Sequence, residues 1–181
     1  MKLYIVRHGQ TDENLRGIML GTKMDVPLSD TGKNQARDII LDQDFDVIFS
    51  SPMKRTLQTA EIINQTLQKP LIVTGDLMER DKGVLEGKTQ QEIMEYTHGA
   101  LNEAILSKKL KFDFSPYGGD SIEAVESRIK SFVTEVLKHY RNKKILVVTH
   151  LGVIRVMFLM YAGKPPDSEE NGAVNILDIG D

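Results

Sequence analysis

Residues 4–14 read YIVRHGQTDEN, and this stretch decides how the rest of the sequence is interpreted. An apolar run of β-forming residues ends directly at Arg7, His8 and Gly9, and only polar residues follow. The pattern is typical of a buried strand that stops at the edge of a sheet. Taken alone, the arginine and the histidine are either ordinary surface residues or parts of an anion site that contains a nucleophile. Features at the other strand ends are needed to decide between the two.

Short apolar runs alternate with helical patterns along the whole sequence. Strands are predicted at 3–6, 46–50, 71–74, 144–149 and 173–179, and helices near 31–41, at 51–67, at 120–140 and near 151–162. The first four strands are continuous apolar runs, as expected for strands that are buried on both faces. This alternation predicts an α/β fold in which crossover helices cover the sheet.

Local signals refine these predictions. Ser51 is expected to cap the second helix, with Pro52 at its first helical position. Apolar residues recur at helical spacing along 120–140, which indicates a helix packed on the core. The polar segment 163–172 is expected to be a surface loop. Since no repeat or Gly/Ser-rich linker interrupts the pattern, residues 1–181 are predicted to form a single domain.

Composition excludes several classes of protein. The net charge of −3 argues against a general nucleic-acid surface, and no apolar run is long enough to span a membrane. The basic cluster at 107–112 is either the solvated end of a helix or a binding patch. The chain has no cysteine, which excludes thiol nucleophiles and thiolate metal sites. The N-terminal apolar run is too short for a signal peptide, so a cytoplasmic protein is expected.

Reactive side chains follow four of the predicted strands. Arg7 and His8 follow the first strand, Arg55 lies one turn after the second, Glu79 follows the third and His150 follows the fourth. Singly, each has an ordinary role as a salt-bridge partner, a buried polar group or an exposed acid. The carboxyl ends of parallel strands share one sheet edge, where α/β proteins bind ligands. Convergence at that edge supplies what metal-free phosphoryl transfer requires.

Each residue type matches a part of that chemistry. Guanidinium groups bind phosphate oxygens in bidentate fashion, and an imidazole can attack phosphorus when an acceptor holds its other N–H. A second histidine can donate to an equatorial oxygen as charge develops there. One carboxyl group can protonate the leaving alkoxide and then deprotonate water. A bound phosphate is expected to raise the pKa of Glu79 by like charge.

The motifs, taken in order, resemble those of a known family. RHGQT with Asn14, SSPMKRTLQTA, MERDKGVLEG, GGDS and VVTHLGVIR are similar to successive motifs of the histidine phosphatase superfamily, in its phosphoglycerate-mutase-like branch. The resemblance covers residues 3–155. It implies a three-layer α/β/α sandwich with a mostly parallel sheet, a small phosphomonoester as substrate, and no metal or other cofactor.

The resemblance also implies residue roles. His8 is the implied nucleophile that forms a phosphohistidine, and Glu79 is the implied proton donor and base. The implied phosphate pocket consists of Arg7, Arg55 and His150. Further substrate contacts are expected at Asn14, Gly21, Thr22, Arg80 and Leu151. Lys82 and Lys88 either contact an acidic substrate or are solvated.

Two departures from the family pattern affect these expectations. Leu151 stands where the family usually has glycine after its second histidine, so a perturbed pocket geometry is expected. It also excludes the aspartate donor that the acid-phosphatase branch places there, which leaves Glu79 as the matched donor. The segment GTKMDVPLS is one residue longer than usual between Gly21 and Asp25, which affects the expected contacts of Gly21 and Thr22.

Three functions fit these motifs. The favoured one is a phosphatase that acts on a small phosphorylated metabolite. The second is a phosphoglycerate-type mutase, which resembles the first but carries an arginine-containing insert, whereas residues 88–117 contain no arginine. The third is a signalling protein that dephosphorylates or binds protein phosphohistidines, and relatives of that kind mostly lack the glutamate donor. The oligomeric state is not predicted.

Overall fold

The computed structural model describes residues 1–102 and 112–180 and contains a five-stranded sheet. The strands are β1 (Lys2–Arg7), β2 (Val47–Ser50), β3 (Leu71–Val73), β4 (Ile145–Thr149) and β5 (Val174–Asp178). Their order in the sheet is β3-β2-β4-β1-β5. Each predicted strand is confirmed to within two residues at its ends.

The register of the parallel strands brings their carboxyl ends to one edge. Arg7 at the end of β1 pairs with Thr149 at the end of β4, and Ser50 at the end of β2 pairs with Val148. β5 runs antiparallel to β1 at the edge of the sheet. The segment that leads into β5 therefore returns to the exit of β1.

The α-helices are α1 (Asp12–Leu15), α2 (Asp30–Asp38), α3 (Lys54–Leu67), α4 (Gln90–Tyr96), α5 (Ile122–Tyr140) and α6 (Leu151–Tyr161). Short 3₁₀ turns lie at Gly75–Leu77, Gly83–Leu85 and Ser115–Tyr117. α2, α3, α5 and α6 correspond to the predicted helices.

Side chains that alternate along each strand form two cores on opposite faces of the sheet. Ile5 belongs to a cluster that contains Ile129 of α5 and Ile154 of α6. Its neighbour Val6 belongs to a second cluster, with Ile63 of α3. Two consecutive residues of β1 thus face opposite layers of helices. The predicted three-layer α/β/α sandwich with a mostly parallel sheet is confirmed.

The predicted start of the second helix is wrong. α3 begins at Lys54 and its capping position is Met53, which makes no side-chain cap. The hydroxyl of Ser51, expected as the cap, instead accepts from the Met53 N–H at 3.3 Å and lies 2.9 Å from Nε2 of His150. Local capping is therefore replaced by a contact between the ends of two strands.

Two other predictions concern segments away from the sheet. Within the described ranges, no helix is long and apolar enough to cross a membrane. The predicted solvated helix end at 107–112 lies, except for Phe112, outside the residues that the structure describes.

Candidate active site

Arg7, His8, Arg55 and Glu79, four of the predicted catalytic residues, line a cavity of about 230 Å³ at the carboxyl edge of the sheet. The fifth, His150, lies beside it, with its ring centroid 5.2 Å from that of His8. The remaining lining residues are Asn14, Ile18, Met19, Leu20, Arg80, Lys82, Leu101, Phe112, Phe114, Leu151, Gly152 and Arg155. The structure thus brings together side chains that lie far apart in the sequence.

His8 is held in one tautomer by its own neighbour. Its Nδ1 lies 2.7 Å from the carbonyl oxygen of Gly9, and because a carbonyl only accepts, Nδ1 carries the proton. Nε2 therefore keeps its lone pair. The side chain is 3% exposed. Burial, followed by the charges of Arg55 and Arg7, lowers the pKa of His8 to about 3, so the imidazole is neutral.

Gly9 fixes the turn that follows His8. Its N–H donates to Oγ1 of Thr59 in α3 at 3.1 Å. A Cβ atom at Gly9 would lie 2.4 Å from the carbonyl oxygen of Gly32 in α2. Only glycine allows this approach, so the exit of β1 is locked between two helices.

Arg55 is completely buried, and backbone carbonyls orient it. Nη1 donates to Met24 at 3.0 Å and Nη2 donates to Gly21 at 3.1 Å. Among the described residues, its buried Nε has no hydrogen-bond partner. Burial lowers the pKa of Arg55, and the charge of Glu79 opposes that shift. A buried cation with an unpartnered N–H at a cavity is suited to binding an anion.

Arg7 depends on a segment that sequence reasoning missed. Its Nη1 donates to the backbone carbonyl of Glu169, whose carboxylate accepts from both Nε and Nη2 of Arg155. Asn171 donates to the carbonyl of His8 at 3.0 Å. The segment 163–172 is a surface loop, as predicted, and its second half also holds Arg7 and the exit of β1. Its polar composition resembles that of solvated loops. The sequence signal that could have revealed its role was Arg155, within VVTHLGVIR, which pairs with Glu169.

His150 is fully buried, and only one of its two ring nitrogens has a hydrogen-bond partner among the described residues. Ser51 Oγ already accepts the Met53 N–H, so its own proton is available for His150 Nε2 at 2.9 Å. Nδ1 is buried without a partner among the described residues. Burial, followed by the charge of Arg55, lowers the pKa of His150 well below its usual value. The ring is thus neutral and lies beside His8.

Glu79 is 5% exposed, and its two carboxylate oxygens have different partners. Oε1 accepts from the Arg80 N–H at 2.9 Å, and Oε2 accepts from the Gly152 N–H at 3.3 Å. Nζ of Lys82 lies 3.9 Å from Oε2. Burial raises the pKa of Glu79, but Lys82 and the two backbone donors, together with Arg55, outweigh it and lower the pKa overall. The carboxylate is therefore stabilised by the chain's own groups.

The residues predicted to contact substrate fall into two sets. Asn14, Arg80 and Leu151 line the cavity. Gly21 and Thr22 are not among the cavity-lining residues. The carbonyl of Gly21 accepts from Arg55, and the N–H of Thr22 donates to Glu86 Oε1 at 3.0 Å. Gly21 therefore orients Arg55, whereas Thr22 is bonded to Glu86.

The departure at Leu151 has a simple structural reading. The N–H that reaches Glu79 belongs to Gly152, and a Cβ atom there would lie 2.3 Å from Glu79 Oε1. The steric demand for glycine therefore falls at 152. Leu151 itself is one of the residues that line the cavity. Lys82 is also not solvated, because its Nζ donates to the Leu20 carbonyl at 2.6 Å.

Comparison with known proteins agrees with this arrangement. The sequence profile of the histidine phosphatase superfamily (branch 1) matches residues 3–181. A phosphatase named PhoE from Bacillus subtilis is 33% identical over 174 residues, which cover 94% of this chain and 82% of PhoE. Phosphoserine phosphatase 1 of Hydrogenobacter thermophilus is 33% identical over 167 residues, or 90% of this chain and 77% of that protein.

A solved structure shows the same architecture. The mycobacterial glucosyl-3-phosphoglycerate phosphatase in complex with VO3 superposes with a TM-score of 0.83 and 25% identity, and the match covers 98% of this chain and 92% of that one. The relatives named here are phosphatases, which are hydrolases, and the family profile spans nearly the whole sequence. The chain therefore belongs to the histidine phosphatase superfamily, as its motifs predict, and is an enzyme of the phosphatase class.

Proposed function

We propose that this enzyme hydrolyses small phosphomonoesters through a phosphohistidine at His8, with Glu79 as the proton donor. The observation that carries the proposal is the Nδ1 contact of His8 with Gly9, which leaves a lone pair on Nε2 of a neutral, buried imidazole. The cations of Arg7 and Arg55 flank this nitrogen's cavity. A neutral nucleophile between fixed cations is suited to attack on an anionic phosphorus centre.

In the first step, the Nε2 lone pair of His8 forms the N–P bond while the bond from phosphorus to the ester oxygen breaks. Glu79 gives its proton to the departing alkoxide. Arg7, Arg55 and the Nδ1–H of His150 stabilise the charge on the equatorial oxygens. The unpartnered buried nitrogens of Arg55 and His150 support these roles.

In the second step, water attacks the phosphorus of phosphohistidine and transfers its proton to the Glu79 carboxylate. The N–P bond breaks, its electron pair returns to Nε2, and inorganic phosphate leaves. Each turnover therefore restores the starting protonation of both residues. The ionised form that Lys82 and the two backbone N–H groups favour is the form that this step requires.

The first step requires Glu79 in its protonated form. A phosphate dianion beside the carboxylate raises the pKa of Glu79 by like charge, against the effect of Lys82. Substrate binding thus protonates the group that must act as the acid. Loss of that charge, when phosphate leaves, returns Glu79 to its ionised state.

The cavity favours hydrolysis of small molecules over the alternative functions. His8 is 3% exposed and lies at a cavity of about 230 Å³, which suits a small ester better than a histidine on another protein. Residues 88–117 contain no arginine that would hold an acid for return of the phosphoryl group. We therefore propose transfer to water rather than a mutase reaction.

The test is the substitution His8→Ala. Hydrolysis of p-nitrophenyl phosphate is expected to fall to the background rate, whereas the exposed histidine variant His139→Ala keeps wild-type activity. Wild-type protein that is quenched in alkali during turnover should carry labelled phosphate on His8. Label on Ser51, or substantial turnover by His8→Ala, would reassign the nucleophile.

A further inference from the structure

We propose that the physiological substrate is the phosphate monoester of an apolar alcohol, and this rests on the function proposed above. The part of the cavity wall not assigned to phosphate is largely apolar. Among the described residues, it is formed mostly by Ile18, Met19, Leu20, Leu101, Phe112, Phe114 and Leu151, and the other lining residues outside the catalytic set are Asn14, Arg80, Lys82, Gly152 and Arg155. These side chains come from separate segments of the chain and meet at one site. A wall of this kind is complementary to hydrocarbon.

The cations in the same wall are already bonded to the protein. The guanidinium of Arg80 lies over the Phe114 ring, 4.6 Å from its centroid, and Nη2 donates to the Phe112 carbonyl. Lys82 donates to the Leu20 carbonyl at 2.6 Å and faces Glu79. Arg80 is therefore engaged in fixing the two phenylalanines that form the apolar wall.

Aromatic contacts extend this wall away from the cavity. The rings of Phe112 and Phe114 meet edge to face with centroids 5.1 Å apart. Phe112 also stacks on Tyr117 at 5.9 Å, and Tyr117 lies 6.2 Å from Tyr96. Phe112 and Phe114 are therefore backed by further aromatic rings, which adds to the apolar character of this wall.

Polar alcohol groups would be poorly served by this wall. A sugar or a phosphoglycerate would bring hydroxyl or carboxylate groups against these apolar side chains, with Arg80 Nε as a buried donor that has no partner among the described residues. Polar groups buried without partners lose affinity, whereas buried methylenes gain it. The wall therefore selects an alkyl or aryl group on the ester oxygen.

The test uses alkyl phosphates whose leaving alcohols have nearly equal acidity, so that only the length of the chain changes. We expect kcat/KM to rise from ethyl to butyl to hexyl phosphate by about fourfold for each added methylene. Glycerol 1-phosphate, which is close in size to butyl phosphate, is expected to be at least tenfold poorer than butyl phosphate.

Variants localise the effect. Phe114→Ser and Leu101→Ser are expected to flatten the dependence on chain length, whereas Met94→Ala, an exposed residue of α4, should keep the wild-type slope. Because the readout is a slope within each variant, a general loss of activity or stability does not imitate it.

The outcomes separate this inference from the proposed function. Hydrolysis of all these esters with no dependence on chain length, or with glycerol 1-phosphate preferred, would refute the substrate class and leave the phosphatase intact. Absence of hydrolysis for p-nitrophenyl phosphate as well would refute the proposed function itself.

Discussion

Glu79 and Lys82 are three residues apart and face the same cavity, with Nζ 3.9 Å from Oε2. Lys82 is 15% exposed, so little solvent screens the pair. Its charge is the largest of the interactions that lower the pKa of Glu79. At the scale of single residues, this lysine sets how readily the acid gives up its proton.

The substitution Lys82→Met removes the charge and shortens the side chain by one atom. We expect the pKa of Glu79 to rise, so that the donor stays protonated to higher pH. The alkaline limb of the kcat/KM profile should therefore move upward. Lys88→Met is the control, because Lys88 lies over the Tyr96 ring and away from Glu79. An unmoved alkaline limb in Lys82→Met would contradict the role of this pair.

Gly152→Ala is predicted to displace the donor without unfolding the protein. The new Cβ would lie 2.3 Å from Glu79 Oε1, so the carboxyl group must move. For an alkyl phosphate, kcat is expected to fall by on the order of 100-fold, as for loss of a general acid. The loss should be much smaller for p-nitrophenyl phosphate, whose leaving group needs no proton.

Gly75→Ala is the matched control for this substitution, because a Cβ atom at Gly75 meets nothing within 4 Å. Its kcat and its melting temperature should both remain at wild-type values. Equal losses of kcat for the two substrates in Gly152→Ala would mean that the glycine serves packing rather than proton transfer.

At the scale of elements, the segment 163–172 supports the phosphate clamp. The Glu169 carboxylate is held by Arg155 while its backbone carbonyl holds Arg7. Asn171 bonds to the His8 carbonyl, and the Gly172 N–H donates to the Arg7 carbonyl at 3.1 Å. The segment is therefore a structural part of the site, because it holds Arg7 and the backbone at the end of β1 in place.

Glu169→Gln is predicted to weaken phosphate binding more than it slows chemistry. Loss of the charge-assisted pair with Arg155 frees the backbone that orients Arg7, so KM and the inhibition constant for vanadate should rise about fivefold. kcat should change by less than half of that factor. Glu170→Gln, which changes an exposed neighbour, should leave both constants unaltered.

A double substitution separates positioning from general disruption. Because Arg155 and Glu169 act as one pair, the double substitution Arg155→Gln with Glu169→Gln should raise KM by no more than either single substitution does. Additive effects on KM would show that the two side chains serve the substrate independently.

The strand exits were predictable because they combine two signals of different kinds. Continuous apolar runs mark buried strands, and the reactive residues that follow them share one edge through parallel pairing. The start of α3 was not predictable from the sequence. Ser51 resembles a helix cap, but its hydroxyl is hydrogen-bonded to His150, which lies ninety-nine positions away. Capping rules are local and do not register a partner at that distance.

The role of 163–172 escaped prediction for a related reason. Its proline, glycine and acidic residues are those of a solvated loop, and what draws it inward is the antiparallel pairing of β5 with β1. Strand direction does not follow from an apolar pattern. Asn14, by contrast, was found by its motif, and it lines the cavity.

At the scale of the whole molecule, two buried neutral histidines couple folding to pH. The folded-state pKa values of His8 and His150 lie below the usual 6.5, chiefly because of burial. Below pH 6.5 the unfolded chain takes up protons that the folded chain does not, so the free energy of unfolding decreases as the pH is lowered. Each histidine is expected to reduce the free energy of unfolding by about 2 kcal/mol when the pH is lowered from 7 to 5.

Urea unfolding at these two pH values tests the coupling. His150→Asn should lose about half of the two-histidine contribution, whatever its absolute stability, because only the difference between the two pH values is compared. His139→Asn, which changes an exposed side chain, should retain the full wild-type difference. A wild-type difference that survives replacement of both buried histidines would assign it to other groups.

The pairing of β5 with β1 has a consequence for the order in which the enzyme becomes competent. His8 precedes Glu169, Asn171 and Ala173, which hold the exit of β1, by more than 160 residues and is therefore synthesised well before them. Since domains fold as units while synthesis proceeds from the N-terminus, a nascent chain carries its nucleophile long before Arg7 is oriented. Arg7 is therefore oriented for phosphate only after β5 has paired with β1.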